Sequence, residues 1–361
     1  MSSGVSRIRR RVEDVMRGLE PAGSLLVPLV IARAVYGSLV WLRNWLYDSG
    51  ILVQRKAPLK VMSVGNLTIG GSGKTPFVEL LARKLSNRRI GILSRGYGSQ
   101  NKEPVSVVSD GEKLSAPPPL SADEPYMMAK NLPGVPVVCA PKRIDGAVMM
   151  AERFGLEGVI LDDGFQHRAI HRDLDILLIN SDNPFGDGRL FPTGILREPV
   201  DQARRAGLIV ITGAGNGTEN IIREIRRHNH TAPVIRASGS ITGFSDIKGV
   251  ERDVRGLKTL LFCGVAGPKL FLRSVEESGA TVLRAMTFAD HHNYTDSQIG
   301  EISAEAASCG AQAIVTTEKD MARLAGREKM FGGQLLSARY KMRITDGENI
   351  LDEELDRVFG K

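Results

Sequence analysis

Residues 61–76 read VMSVGNLTIGGSGKTP. An apolar, β-branched run gives way to alternating glycines, then to Gly73, Lys74 and Thr75, and residues 77–85 follow with helical amphipathic spacing. The order is strand, glycine-rich turn, helix start. Glycine admits positive φ and lets successive backbone N–H groups close on an anion, while a helix N-terminus adds partial positive charge. That is the build of a phosphate loop, with Lys74 reaching toward β- and γ-phosphates and the Thr75 hydroxyl set to ligate Mg²⁺. The strict pattern wants glycine where this chain has Thr68; Gly70, Gly71, Ser72 and Gly73 supply the remaining small positions. A left-handed glycine turn carrying Gly-Lys-Thr by chance is the competing reading, and the flanking strand and helix patterns count against it.

Upstream, residues 24–46 are mostly apolar, hold Tyr36, Trp41 and Trp45, and follow the basic residues Arg7, Arg9, Arg10, Arg11 and Arg17. A spanning helix needs about 20 apolar residues with few charges, and Pro28, Arg33 and Arg43 interrupt this one. Arg33, Gly37 and Asn44 fall on one stripe of a helix, leaving the rest of its circumference apolar and aromatic. The expectation is an interfacial helix on an anionic membrane surface, with a helix packed into the protein core as the alternative. A secretory leader fits poorly, because no small-residue cleavage site follows and a nucleotide loop does. The net charge of +7 over 361 residues suits lipid headgroups or a phosphorylated substrate. Nucleic acid is not expected as a partner, since aromatic residues make up 5% of the chain and none interleave with basic runs as a stacking platform requires. Cys139, Cys263 and Cys309 are odd in number, without CxxC spacing, and read as thiols in a reducing compartment.

Downstream, strand-length apolar runs at residues 89–94, 104–109, 135–140, 158–161, 174–180 and 208–212 alternate with helical patterns at 121–130 and 145–154. This predicts an α/β fold, a P-loop NTPase-like and mostly parallel sheet with helices on both faces. Composition turns glycine-, serine- and charge-rich at 238–256, read as a linker or hairpin. Beyond it, strands at 257–263, 281–286 and 313–317 alternate with helices at 268–278 and 297–309, a smaller C-terminal α/β lobe. The expected organisation is a basic, amphipathic membrane-associated segment 1–48, a P-loop domain 49–237, the linker 238–256 and the lobe 257–361.

Several residues invite chemistry. Asp162 and Asp163 end the buried run Val159-Ile160-Leu161, and strand-end acids paired with a Lys-Thr loop hold Mg²⁺ on nucleotide phosphates. Neighbours on a strand point to opposite sides, so one acid would meet the metal and the other water or substrate; a plain Asp-Asp-Gly turn is the alternative. Asp290-His291-His292-Asn293-Tyr294 sets carboxylate beside imidazole, an arrangement that sets the imidazole's orientation and protonation or holds a base by hydrogen bonding, or is a polar loop without chemistry. Asp123-Glu124 reads first as the acidic opening turn of a helix. Arg197, in the proline- and glycine-punctuated stretch 191–199, and Arg143, just after a strand, carry guanidinium forks suited to phosphate, or face solvent.

Taken together, GNLTIGGSGKTP (65–76), SRGYG (94–98), ADEPYMMA (122–129), LDDGFQH (161–167), FPTGILREP (191–199), FADHHNY (288–294) and TTEKD (316–320) resemble the tetraacyldisaccharide 4′-kinase family, in that family's order and along nearly the whole chain. Thr68 agrees with the family's own loop; Ala122, where glycine is common, is a small departure. The resemblance implies transfer of the γ-phosphate of ATP, with Mg²⁺, to the 4′-hydroxyl of an acylated glucosamine disaccharide 1-phosphate. It implies a peripheral enzyme at the cytoplasmic face of the bacterial inner membrane, met through its anionic surface. Nucleotide contacts would come from Thr68, Gly70, Gly71, Ser72, Gly73, Lys74 and Thr75, and metal contacts from Thr75, Asp162 and Asp163. Asp123 falls on the family's catalytic base, His291 beside Asp290 on its supporting histidine, and Arg143, Gln166, Arg197 and Glu198 on further positions facing substrate. The rival is a membrane-associated P-loop ATPase of the partitioning type, which needs a lysine where this chain has Ile69. A GTPase would need Asn-Lys-x-Asp, and Lys319 and Asp320 are adjacent.

Overall fold

The computed structural model describes residues 11, 12, 14–16, 18, 20–213, 217–265, 267–290, 292–324 and 326–360. In chain order the elements begin with helix α1 (Leu26–Asp48), strand β1 (Lys60–Asn66), α2 (Lys74–Lys84), β2 (Ile90–Ser94), β3 (Ser106–Ser109), α3 (Asp123–Asn131) and β4 (Val137–Cys139). Then come α4 (Arg143–Phe154), β5 (Gly158–Asp162), β6 (Leu174–Asn180), β7 (Leu208–Thr212), α5 (Thr218–Arg226), β8 (Val234–Asp246), β9 (Glu251–Arg252) and β10 (Lys258–Cys263). After these stand α6 (Pro268–Glu277), β11 (Thr281–Thr287), α7 (Asp296–Cys309), β12 (Ala313–Thr317), α8 (Glu318–Leu324), β13 (Leu335–Asp346) and α9 (Glu348–Phe359). The chain divides into two compact units, one of residues 1–74, 158–238 and 344–361, the other of 75–157 and 239–343.

In the first unit the opening residues of β8, then β7, β6, β1 and β5, lie side by side and parallel. β5 and β7 are buried along their whole length and β1 along all but its first residue, as continuous apolar runs covered on both faces must be. Leu67, Phe165, Leu177, Ile179, Leu196, Ile209, Ile211, Ile221 and Ile225 form a core on one side of these strands. The register sets Val64 of β1 opposite Asp162 of β5, which brings the strand-end acid level with the start of the phosphate loop. Gly65 lets the turn after β5 pack closely on β1, because a Cβ there would stand 2.6 Å from Phe165 Cβ.

Helix α1 inverts the usual amphipathic order. Its polar and small stripe faces the unit: Asn44 is buried, Gly37 packs toward Leu190, the Tyr36 hydroxyl donates to the Arg197 carbonyl at 2.8 Å, and Arg43 pairs with Glu198. Asp48 anchors the helix end through Arg168 at 2.7 Å and Arg204 at 2.6 Å. Leu29 and Val40 are buried beside this stripe, whereas Leu26, Val27, Ile31, Val35, Leu39, Trp41 and Trp45 are exposed, and Trp41 stacks on Trp45. By length and composition Gly23–Asp48 is also long and apolar enough to cross a membrane.

The second unit contains β2 and β4 in parallel with β3 antiparallel on β4, and the parallel set β11, β10, β12 and β13. Phe262, Tyr294, Ile299, Ile302, Ile314, Leu324, Phe331 and Leu335 make one of its cores. Residues 238–256, expected as linker or hairpin, hold the antiparallel pair of β8 and β9, with Ser245 opposite Glu251. Helices α3 and α8 pack on each other, although α3 ends at Asn131 and α8 starts only at Glu318. The patterns of the sequence did not mark α5, β8, β13 or α9. In β13, Lys341, Arg343 and Asp346 are exposed beyond a buried first half, so the strand lacks the uniform apolar run that marks β5 and β7.

Candidate active site

Local backbone geometry builds the phosphate loop. Gly70 and Gly73 sit at φ +124° and +80°, conformations that cost a side-chain-bearing residue dearly. Thr68 needs no such freedom. It lies in extended pairing with Leu196, flanked by hydrogen bonds from Arg197 N to the Leu67 carbonyl and from Ile69 N to the Ile195 carbonyl, both 2.7 Å. The residue that breaks the strict motif is therefore clipped to the 191–199 stretch. The far side of the loop is held by the Thr212 hydroxyl donating to the Ser72 carbonyl at 3.0 Å.

These clips gather most of the expected residues of the first unit. Lys74 Nζ donates to Asn66 Oδ1 at 3.1 Å and lies 3.6 Å from Asp163 Oδ1. Arg197 reaches both oxygens of Asp163 at 2.8 Å. Gln166 donates to the Asn66 carbonyl at 2.8 Å and to Glu198 at 3.3 Å, and accepts from Arg197 at 3.4 Å. Asp162 ends β5 and is buried. Asp163, expected to point opposite to it by strand alternation, instead lies past the strand at φ +52°; the left-handed backbone, at a cost of order 1–3 kcal/mol, aims its carboxylate at Lys74 and Arg197.

Glu198 is wholly buried, between Arg205 at 2.7 Å and Arg43. Burial alone would raise its pKa, but Arg205 and then Arg43 outweigh that and hold it below the ordinary glutamate value. Tyr36, between the same groups, has its pKa raised, by burial first and by Glu198 second.

In the second unit, Asp123 and Glu124 open α3 and meet cations of α8. Arg323 Nε donates to Asp123 Oδ2 at 2.7 Å, and Lys319 Nζ contacts Glu124 Oε1 at 2.6 Å and Asp290 Oδ1 at 3.4 Å. The Thr75 hydroxyl donates to Glu124 Oε2 at 3.4 Å. Lys319 keeps a raised pKa: burial pulls it down, and Glu124 and Asp290 more than restore it. Arg143 is buried at the start of α4 and donates to the Ala140 carbonyl at 2.8 Å, which removes the solvent-facing alternative. His291 lies outside the described residues. Its neighbours His292 and Tyr294 pack with Phe288 in an aromatic group.

The tetraacyldisaccharide-1-P 4′-kinase family matches residues 24–359. The chain belongs to that family. It is 36% identical over 354 residues to the tetraacyldisaccharide 4′-kinase of Anaeromyxobacter sp. (strain K), covering 94% of this chain and 92% of that relative. The enzyme of the same name from Desulfatibacillum aliphaticivorans is 38% identical over 338 residues, 89% of this chain and 90% of the relative. Among solved structures, the "apo" form of LpxK from Aquifex aeolicus in complex with ATP superposes with TM-score 0.75 at 33% identity, over 93% of this chain and 99% of that one. The partitioning-type ATPase is not favoured by this assignment.

Sequence reasoning missed Asn66, Arg43, Arg205 and Arg323. The first three act through contacts that local spacing does not encode. Arg323 left a faint signal, three residues after Asp320 on the helix that follows TTEKD, where i and i+3 side chains meet.

Proposed function

We propose that this chain transfers the γ-phosphate of ATP to the 4′-hydroxyl of tetraacyldisaccharide 1-phosphate at the cytoplasmic face of the inner membrane. The observation that carries the reading is a fully built phosphate loop in a member of this kinase family, with Lys74 oriented by Asn66 and Asp163. The loop suits a nucleotide: its glycines take positive φ, and the buried Ser72 hydroxyl has no hydrogen-bond partner among the described residues. Magnesium, when bound, neutralises charge on the β- and γ-phosphates, and the Thr75 hydroxyl with the Asp162 and Asp163 carboxylates are the hard oxygen donors suited to hold it.

The residues of the chain supply position and charge. Lys74 meets the charge that gathers on the γ-phosphate, and Arg197, freed from Asp163 by exchange for phosphate, adds a forked donor. Asp123 takes the proton of the 4′-hydroxyl as that oxygen bonds to the γ-phosphorus and the bond to the β–γ bridging oxygen breaks. His291, next to Asp290, supports that base. Gln166 meets the sugar substrate, Arg143 braces the start of α4 from its buried position, and Glu198 holds Gln166 and the arginines around it from below the surface. The exposed apolar side of α1 lies in the lipid interface, with its docked polar stripe keeping the enzyme close to its lipid substrate.

Labelled ATP incubated with tetraacyldisaccharide 1-phosphate should transfer label to the disaccharide. In Asp123→Asn the transfer should fall about 100-fold or more while ATP binding persists. Label released only as inorganic phosphate would reject the kinase reading, and near-normal turnover by Asp123→Asn would remove Asp123 as the base.

A further inference from the structure

Arg323 is buried and held from three sides. Its NH1 donates to the Gly264 carbonyl at 2.8 Å and to Asp320 Oδ1 at 3.0 Å, and its Nε donates to Asp123 Oδ2 at 2.7 Å. Asp320, fully buried, is itself fixed by the Gly264 N–H at 3.1 Å, the Tyr294 hydroxyl at 2.9 Å and the Thr317 hydroxyl at 2.7 Å. Gly264 thus accepts from Arg323 and donates to Asp320, closing a small ring, and a Cβ there would stand 2.9 Å from the Ala289 carbonyl oxygen and 3.1 Å from Asp320 Oδ1. Four separate stretches converge to lock one guanidinium.

The remaining edge of the Arg323 guanidinium crosses 200 positions of sequence to the first residue of α3. We propose that Arg323 is a positioning residue for the phosphoryl transfer, fixing the direction of the Asp123 carboxylate, with Asp320 and Tyr294 as its rigid backing. The inference rests on the reading of Asp123 as base. A base on the first turn of a short helix has free rotation about χ1 and χ2 unless something holds it, and loss of near-attack geometry is costly. Burial opposes the charge on Arg323, but Asp123, Asp320 and Asp290 together outweigh it and its pKa stays above the ordinary value, so the clamp keeps its charge wherever the protein is folded. The charged groups near Asp123 include Arg323, with Asp320 and Asp290 behind it, and the neighbouring Glu124–Lys319 pair.

The test compares Arg323→Gln, Arg323→Lys and Asp123→Asn in the full-length enzyme, with kcat and KM measured against pH using ATP and tetraacyldisaccharide 1-phosphate. Arg323→Gln should lower kcat about 100-fold with KM for ATP within about twofold, and move the acid limb of kcat upward by about one pH unit or more, because a cation no longer favours the carboxylate. Arg323→Lys, which keeps the charge but loses the fork, should hold the acid limb near its original place and recover part of kcat; this variant also carries the test if Arg323→Gln does not fold. Equal kcat in the arginine variants, or a loss of kcat with an unmoved acid limb in Arg323→Gln, would overturn the proposal. An active Asp123→Asn would instead overturn the base assignment on which it stands.

Discussion

Replacing Glu198 with glutamine tests how the loop platform is held. The carboxylate is fully buried and faces Arg205, whose side chain is 9% exposed, Arg43 and Gln166. Removing one partner of such a pair leaves buried cations uncompensated, at about 3–5 kcal/mol; glutamine keeps the volume and one acceptor, so the lower end applies. Unfolding entropy of about 2.1 cal/mol/K per residue over 361 residues gives about 0.8 kcal/mol per kelvin, so the Tm should drop by about 4 °C at pH 7. The pH dependence has a definite sign. Because the Glu198 pKa is depressed in the folded state, its contribution is complete above the ordinary value of 4.5 and fades as pH falls through the lowered folded value. Calorimetry of both proteins should therefore show a full Tm gap at pH 7 that narrows below pH 4.5. Equal Tm at pH 7, or a gap that widens on acidification, would refute the clamp.

Two further outcomes are expected. Lys74→Met should reduce kcat by about 10²–10³ in steady-state assays with little change in Tm, since the Lys74 side chain is partly exposed and its partner Asp163 keeps Arg197; an unchanged kcat would remove it from the phosphate site. Trp41→Glu combined with Trp45→Glu, at positions 65% and 47% exposed, should weaken co-sedimentation with anionic phospholipid vesicles by about tenfold or more, and unchanged sedimentation would reject α1 as the membrane contact.

Local patterns in the sequence were enough for the strand–glycine–lysine–helix unit at 61–76, for the buried parallel strands β5, β6 and β7, and for the hydrophobic helix α1, because each is written in spacings of a few residues. The family motifs likewise named Asp123, Asp162, Asp163 and Arg197 without coordinates. What tertiary structure decided was what each of these faces. Thr68 is tolerated because Leu196 pairs with it in extended backbone, and Asp163 aims at Lys74 because of a left-handed turn that strand alternation does not anticipate. The polar stripe of α1 turns inward because Glu198 and the Arg197 carbonyl await it, while its apolar face is left outward. Asp123 looked like an ordinary helix-opening acid until the fold set Arg323 beside it. Partners that lie far apart in sequence meet through the packing of sheets and helices, and no periodicity along the chain records them.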